Sequence, residues 1–148
     1  QYYLYEDALN SQEWNIESDS MKVVLGHECQ KATCSFRGRK WTAWFALDVP
    51  VSDGPLKFCG LPGLIMEVYD RGKQYYFCIN GMQQVSATPI TFGILDKDFK
   101  HFQKTDRKDF LLSKYRYLRN QNSINEASTG ISLGSVDEAL KYDLIERE

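Results

Sequence analysis

The feature that most constrains this chain is the alternation of apolar and polar residues over several short stretches between residues 13 and 87. Successive side chains of a β-strand point to opposite faces, so a period of two predicts strands with one buried face. Trp41, Ala43 and Phe45 form one such series, which Pro50 brings to an end. The pattern predicts an antiparallel meander over most of the chain.

Turn-forming residues divide this alternation into separate strands. We predict turns at 18–20, 37–39 and 70–73, where Ser, Asp, Gly, Lys and Arg cluster between the apolar series. The predicted strands span residues 13–17, 21–36, 41–49, 64–69, 74–80, 82–87 and 90–94.

The longest predicted strand contains a change of phase. Met21 and Cys29 share one parity, whereas Ala32 and Cys34 share the other. A β-bulge inserts one residue and so exchanges the faces of the residues that follow it. We therefore predict a bulge at residues 30–31 that restores a single core face.

The last third of the chain has helical rather than strand periodicity. Apolar residues recur at helical spacing from residue 104 to 119, and Thr105 or Asp106 provides a suitable N-cap. Residues 121–135 are rich in Asn, Ser and Gly and have no period, which predicts a loop. The capping sequence that begins at Ser135 predicts a short terminal helix over residues 135–145. The expected fold is a sheet-dominated α+β domain, with a curved, half-barrel-like antiparallel sheet, one main helix and a possible short C-terminal helix.

Composition excludes several classes of function. The 148 residues suit one domain, and a hydrophobic content of 43% with 26% charged residues supports a folded core. The formal charge is −2, so no basic field attracts nucleic acid, and no apolar run is long enough to span a membrane. The aromatic content of 14% favours a sheet with one partly solvated face.

The four cysteines, Cys29, Cys34, Cys59 and Cys78, include no Cys-x-x-Cys pair, so their spacing does not support a zinc ribbon. We predict two disulfides formed in an oxidising compartment, with reduced buried thiols as the alternative. On one continuous strand, Cys29 and Cys34 would lie about 16 Å apart, beyond the roughly 7 Å that a disulfide allows. These two cysteines are therefore not expected to pair with each other.

Motifs of known catalytic chemistry are missing from the sequence. There is no Gly-x-Ser-x-Gly elbow, P-loop, His-Glu-x-x-His or Gly-x-Gly-x-x-Gly. His27 lies two residues before Cys29, and this spacing on a strand could begin a Cys-His pair or a metal site. The favoured interpretation places His27 at the solvated margin of the strand and Cys29 in the core or in a disulfide. We predict no catalytic residue, no metal and no cofactor.

The strongest local signal is the run Gly60-Leu61-Pro62-Gly63-Leu64-Ile65. Pro62 fixes its own φ, and Gly63 can take a positive φ, as the third position of a type II turn requires. The run predicts a rigid corner that leads into a buried strand.

The same run resembles the motif of the GLPGLI family, whose members are secreted or periplasmic proteins of Gram-negative bacteria. Further matches lie at 26–32, 36–39 and 42–45, and the resemblance is specific from about Trp14 to Asp70. It implies a single domain over residues 1–148 that lacks the N-terminal strands and signal peptide of longer members. It also implies a periplasmic or secreted location. The family has no assigned reaction, and its motif carries no catalytic or ligand-binding set.

The functional expectation is a non-catalytic binding or envelope-associated module that holds an apolar small molecule or a peptide on its curved sheet. Trp44, Tyr69 and Tyr76 are the candidate ligand-binding residues, because their predicted positions leave them on the second face. One alternative is a cysteine-dependent or metal-dependent enzyme centred on His27 and Cys29. Another is a structural protein that pairs with an envelope partner through its sheet edges.

Overall fold

The computed structural model describes residues 2–88, 102–120, 127–129 and 145–146. The chain forms two compact units, which are described separately. The sheet unit comprises Ala8–Ala87 with Ile145–Glu148, and the helix unit comprises Gln1–Asp7 with Thr88–Leu144. None of the helices in the described ranges has the length and apolar character needed to cross a membrane.

The sheet unit contains a five-stranded antiparallel meander in which each strand pairs with its neighbour in sequence. The sheet is open, with the first and last of these strands at its two edges. The predicted sheet-dominated fold is thereby confirmed. The strands are β2 (Asn15–Val24), β3 (His27–Phe36), β4 (Arg39–Ala46), β5 (Leu64–Asp70) and β6 (Tyr76–Cys78).

Two-residue turns join β2 to β3 and β3 to β4. Leu25 and Gly26 have φ angles of 49° and 81°, and Arg37 and Gly38 have φ angles of 50° and 74°. Positive φ at both central residues is the type I′ geometry that matches the twist of a hairpin. The turn at Leu25–Gly26 means that the prediction of one strand over residues 21–36 was wrong.

The bulge in the pairing of β2 with β3 lies in β2 rather than in β3. Glu17 pairs with Lys31 and Met21 pairs with Gln30, so residues 18–20 are extra residues on β2. The predicted turn at 18–20 is therefore an irregularity within one strand. The prediction of a bulge at residues 30–31 was also wrong, because β3 pairs with β4 in unbroken register from Cys29 to Phe36.

The sheet has a buried cluster on each face, and this explains the change of phase along β3. Ala32 and Cys34 point into the main core, whereas Cys29 points into a second cluster on the opposite face. The main core contains Ala32, Cys34, Phe36, Trp41, Ala43, Phe45, Phe58, Leu61, Ile65 and Val68. The second cluster contains Val24, Cys29, Ala46 and Met66.

The connection between β4 and β5, residues 47–63, covers the main core. Its Phe58 ring lies 4.5 Å from the Trp41 ring, centroid to centroid, and its Leu61 side chain is 2% exposed. The indole N–H of Trp14 donates a 2.8 Å hydrogen bond to the carbonyl oxygen of Cys59. Burial of each large apolar side chain contributes about 1.5–3 kcal/mol. This connection is therefore a wall of the core.

The glycines of the run at 60–65 have different structural roles from those predicted. Gly60, not Gly63, has a positive φ, at 90°. At Gly63 a Cβ atom would lie 2.0 Å from the carbonyl oxygen of Ala46, a distance that no side chain can occupy. Gly63 is thus required by the close approach of two backbones, and the predicted positive φ at this position was wrong.

The C-terminal part of the sheet is shorter than predicted. β6 contains three residues instead of the seven predicted at 74–80, and residues 82–87 are exposed and form no strand. The predicted strand at 90–94 lies outside the described residues. So do the predicted loop at 121–135, apart from the helical residues 127–129, and the predicted terminal helix, apart from Ile145.

The helix unit contains a two-stranded parallel pair, β1 (Tyr2–Leu4) with β7 (Phe102–Lys104), and the helix α1 (Arg107–Arg119). The Asp106 side chain caps α1 by accepting a 2.9 Å hydrogen bond from the backbone N–H of Asp109, and this bond lowers the pKa of the Asp106 carboxyl. The predicted helix and N-cap are confirmed. The strands β1 and β7 were not predicted, because three residues are too few to show a period of two.

Candidate functional site

The three aromatic residues singled out from the sequence lie together on the second face of the sheet. The Trp44 indole N–H donates a 3.4 Å hydrogen bond to the Tyr69 hydroxyl. The rings of Tyr69 and Tyr76 stack with centroids 5.9 Å apart at an angle of 23°. Side-chain alternation on β4, β5 and β6 brings them to one face, since Tyr69 is paired with Tyr76 across the strands. We call Trp44, Tyr69 and Tyr76 the aromatic row.

Cationic side chains already cover two rings of the aromatic row. The Lys22 ammonium lies 4.8 Å from the centroid of Trp44, and the Lys73 ammonium lies 5.1 Å from that of Tyr69. Both distances fit cation–π contacts. Tyr76 is 50% exposed, so it offers the accessible ring surface at the end of the row.

A buried carboxylate lies beside the row, because Glu67 is paired with Trp44 across β4 and β5. Glu67 is 6% exposed and forms an ion pair with Lys22. A charge this well buried requires a partner, and Lys22 provides one while also lying over Trp44. Desolvation, together with the negative charge of Glu67, raises the pKa of the Tyr76 phenol to about 12.

A groove with a volume of about 480 Å³ adjoins the exposed end of the row. We call it the β6 groove. Its size falls within the roughly 300–1,000 Å³ typical of ligand sites. Most of its lining is apolar, and Asp53 is its one charged residue, whose carboxylate accepts a 2.8 Å hydrogen bond from the N–H of Gly54. The lining residues are Asp53, Gly54, Pro55, Leu64, Ile65, Met66, Tyr76, Phe77, Cys78 and Ile79.

Tyr76 belongs to both the aromatic row and the β6 groove, whereas Trp44 and Tyr69 do not line the groove. Met66 and Ile79 line it but were not among the residues selected from the sequence. Met66 sits at the β-bulge of β5, opposite the break between Trp44 and Phe45. An irregularity of this kind leaves no trace in the alternation of a single strand, so sequence periodicity gave no signal for it.

The four cysteines are all free thiols, so the predicted disulfides are not present in the structure. Cys29 and Cys34 lie on opposite faces of β3, and Cys59 lies in the connection that covers the main core. These three are buried, whereas Cys78 on β6 is exposed. Burial raises the pKa of Cys34 to about 12 and also raises that of Cys29.

The pair formed by His27 and Cys29 does not have the geometry of an activated nucleophile. The Cys29 side chain is fully buried, and its thiol donates a 3.5 Å hydrogen bond to the carbonyl oxygen of His27. Reactive cysteines need a lowered pKa, and burial raises that of Cys29. The His27 Nδ1 atom instead lies 2.7 Å from the Oδ2 atom of Asp48 at the surface. In the described part of the chain, His, Cys, Asp and Glu form no cluster of three that could hold a metal.

Comparison with known proteins gives few matches. A family model described as "Protein of unknown function (Porph_ging)" matches residues 37–67, which include β4, the connection over the core and the start of β5. No curated protein matches the chain. A solved structure of PNGF-II is similar with a TM-score of 0.40 and 18% sequence identity, over 68% of this chain. The chain corresponds to only 17% of that protein's chain.

Proposed function

We propose that this protein is a non-catalytic binding module that holds an apolar ligand, either a small molecule or a peptide segment, in the β6 groove. The observation that carries the proposal is that the half-exposed ring of Tyr76 adjoins a groove of about 480 Å³ with a largely apolar lining. Transfer of apolar surface from water into such a groove is the main source of affinity for ligands of this kind.

The aromatic row supports this role by fixing the Tyr76 ring before a ligand arrives. Tyr76 stacks on Tyr69, and Tyr69 is held by Trp44 and covered by Lys73. A side chain that is already ordered loses little conformational entropy on binding. In this proposal, Tyr76 contacts the ligand, while Trp44 and Tyr69 are positioning residues.

We also propose that the chain is a GLPGLI-type domain that works outside the cytoplasm, in the periplasm or as a secreted protein. The matched family segment, residues 37–67, contains the whole run at 60–65. The structural requirement at Gly63, which packs against the backbone of Ala46, gives that run a physical reason to keep its glycine. The partner would then be an apolar molecule, a peptide or another envelope protein.

The test is titration of the purified protein with the neutral apolar dye Nile red, followed by fluorescence. Ile79→Asp places a carboxylate in the groove, and we expect it to weaken dye affinity by about ten-fold or more, because an unpaired charge resists desolvation. The matched control is Val85→Asp, which makes the same kind of change at a residue that is 69% exposed and does not line the groove.

Wild-type affinity in Val85→Asp, with circular dichroism spectra unchanged in both variants, completes the expected result. Equal dye affinity in Ile79→Asp and the wild type, or no binding to the wild type at all, would contradict the proposal.

A further inference from the structure

The outer edge of β6 is the starting point for a more specific inference, which rests on the proposed function of the β6 groove. β6 is the last strand of the sheet and pairs with β5 along one side. Within the described ranges, no strand pairs with its other side. An edge strand of this kind presents backbone N–H and C=O groups that can pair with another chain.

The hydrogen bonds to β5 establish which backbone groups of β6 point outward. The N–H of Asp70 donates to the carbonyl oxygen of Tyr75 at 3.1 Å, and the N–H of Ile79 donates to that of Met66 at 2.8 Å. In an antiparallel pair, hydrogen-bonded residues alternate with residues whose N–H and C=O groups point away. The odd-numbered residues 75, 77 and 79 therefore face β5, and Tyr76 and Cys78 direct their backbone groups outward.

The β6 groove adjoins this same edge. Its lining includes residues 76 to 79, together with Leu64, Ile65 and Met66 of the neighbouring strand β5. Because Tyr76 and Cys78 both line the groove, a chain that pairs with their outward backbone groups would lie beside it.

We propose that the ligand is an extended peptide segment that pairs with the outer edge of β6 and adds a sixth strand to the sheet. Its backbone pairs with the outward N–H and C=O groups of Tyr76 and Cys78, and one of its apolar side chains occupies the groove beside Pro55 and Ile79. Addition of a strand in this way combines backbone hydrogen bonds with a pocket for alternate side chains. A lipid tail would fill the apolar groove but make no use of these outward backbone groups, which would stay hydrated.

The probe is a set of acetylated heptapeptides of the form Thr-X-Thr-X-Thr-X-Thr, with X as Val, Leu, Phe or Tyr. Amide hydrogen exchange of the isotope-labelled protein is followed by NMR. At a peptide concentration about ten times the Kd, we expect exchange at Tyr76 and Cys78 to slow by about ten-fold. The matched control peptides carry N-methyl groups on alternate residues, which remove the pairing N–H groups and preserve the side chains.

A variant pair tests the same edge from the protein's side. Cys78→Pro removes an outward N–H, which an edge strand tolerates, and Cys78→Ser keeps that group. We expect Cys78→Pro to lose at least about ten-fold in peptide affinity relative to Cys78→Ser, because only the proline removes the N–H that pairs with the peptide. Circular dichroism and the Tm of both variants establish that they are folded.

The inference would be overturned by no protection of Tyr76 and Cys78 by any peptide of the set, by equal affinity for the N-methylated peptides, or by equal peptide affinity in Cys78→Pro and Cys78→Ser. Protection that grows with protein concentration without peptide would also overturn it, by showing pairing between two copies of the chain. Nile red binding without peptide protection contradicts only strand addition. Absence of Nile red binding to the wild type contradicts the proposed function itself.

Discussion

The Nη1 atom of Arg39 donates a 2.9 Å hydrogen bond to the Oδ2 atom of Asp70, and the two side chains are 2% and 6% exposed. This buried ion pair joins the beginning of β4 to the end of β5. The other Asp70 oxygen accepts a 2.9 Å hydrogen bond from the N–H of Tyr75, and the Arg39 guanidinium lies 4.8 Å from the Tyr75 ring centroid. One carboxylate therefore organises both the ion pair and the turn into β6.

Asp70→Asn should destabilise the sheet unit by about 3 kcal/mol or more, because it leaves the buried charge of Arg39 without its carboxylate. Urea denaturation gives the free energy of unfolding. The control is Lys40→Gln on the same strand, which changes an exposed residue and should stay within about 0.5 kcal/mol of the wild type. If Asp70→Asn lowers the free energy of unfolding no more than the control does, the ion pair contributes nothing to stability.

Substitution of three glycines separates steric clash from backbone strain. Gly63→Ala should prevent folding or cost more than about 3 kcal/mol, because its Cβ would lie 2.0 Å from the Ala46 oxygen. Gly26→Ala has open space but a φ of 81°, so it should cost about 1–2 kcal/mol. Gly81→Ala has neither constraint and should leave the free energy of unfolding within about 0.5 kcal/mol. A different order among the three variants would contradict the described packing of the connection.

Alkylation of the folded protein should modify one cysteine rapidly. Cys78 is exposed, whereas Cys29, Cys34 and Cys59 are buried, and the pKa of Cys34 is raised to about 12 by burial. Because the thiolate is the reactive form, the buried thiols should react only when the protein unfolds. Intact mass after iodoacetamide treatment at pH 8 should show one adduct on the wild type and none on Cys78→Ser. Rapid addition of two or more groups to the native protein would argue against the burial of these thiols.

The Tyr76 phenol should titrate later than an ordinary tyrosine, since desolvation and the Glu67 charge raise its pKa from 10.0 to about 12. Folding therefore favours the protonated phenol. Its contribution to stability is complete below about pH 10 and is lost as the pH rises through about 12. The difference in absorbance at 295 nm between the wild type and Tyr76→Phe, followed against pH, isolates the ionisation of Tyr76.

Glu67→Gln removes one cause of the raised pKa of Tyr76, so the ionisation of Tyr76 should move towards lower pH. Denatured protein in urea provides the reference, because desolvation and the Glu67 contact are both lost on unfolding. An unchanged titration of Tyr76 in Glu67→Gln would mean that Glu67 contributes nothing to the raised pKa.

The alternation along β4 was sufficient to predict its faces, because Trp41, Ala43 and Phe45 all point into the main core. The same logic failed at Leu25, where the alternation of Met21 and Val23 continues into a turn. Leu25 adopts a φ of 49°, which a leucine rarely takes, and only Gly26 beside it signalled the turn. These three apolar residues are exposed, so alternation there did not indicate burial.

The alternation of side chains also made part of the candidate site predictable from the sequence. Parity placed Trp44, Tyr69 and Tyr76 on one face, and they do lie together. The groove beside Tyr76 depends on the bulge at Met66 and on the loop at Gly54. A Cβ atom added at Gly54 would lie only 2.9 Å from the Cβ of Ile65, so the loop packs closely against β5. Such long-range contacts are determined by the folded chain and not by local spacing.

Because residues 47–63 cover the main core, the connection between β4 and β5 cannot easily accept insertions or deletions. Surface connections generally accept insertions and deletions, because few contacts depend on their length. Here Phe58 and Leu61 must reach fixed places in the core, and Gly63 must return the chain to the backbone of Ala46. The number of residues between β4 and β5 is therefore itself a structural constraint. Variation in length should be accommodated at the chain's exposed turns, such as 71–74, before it is accommodated here.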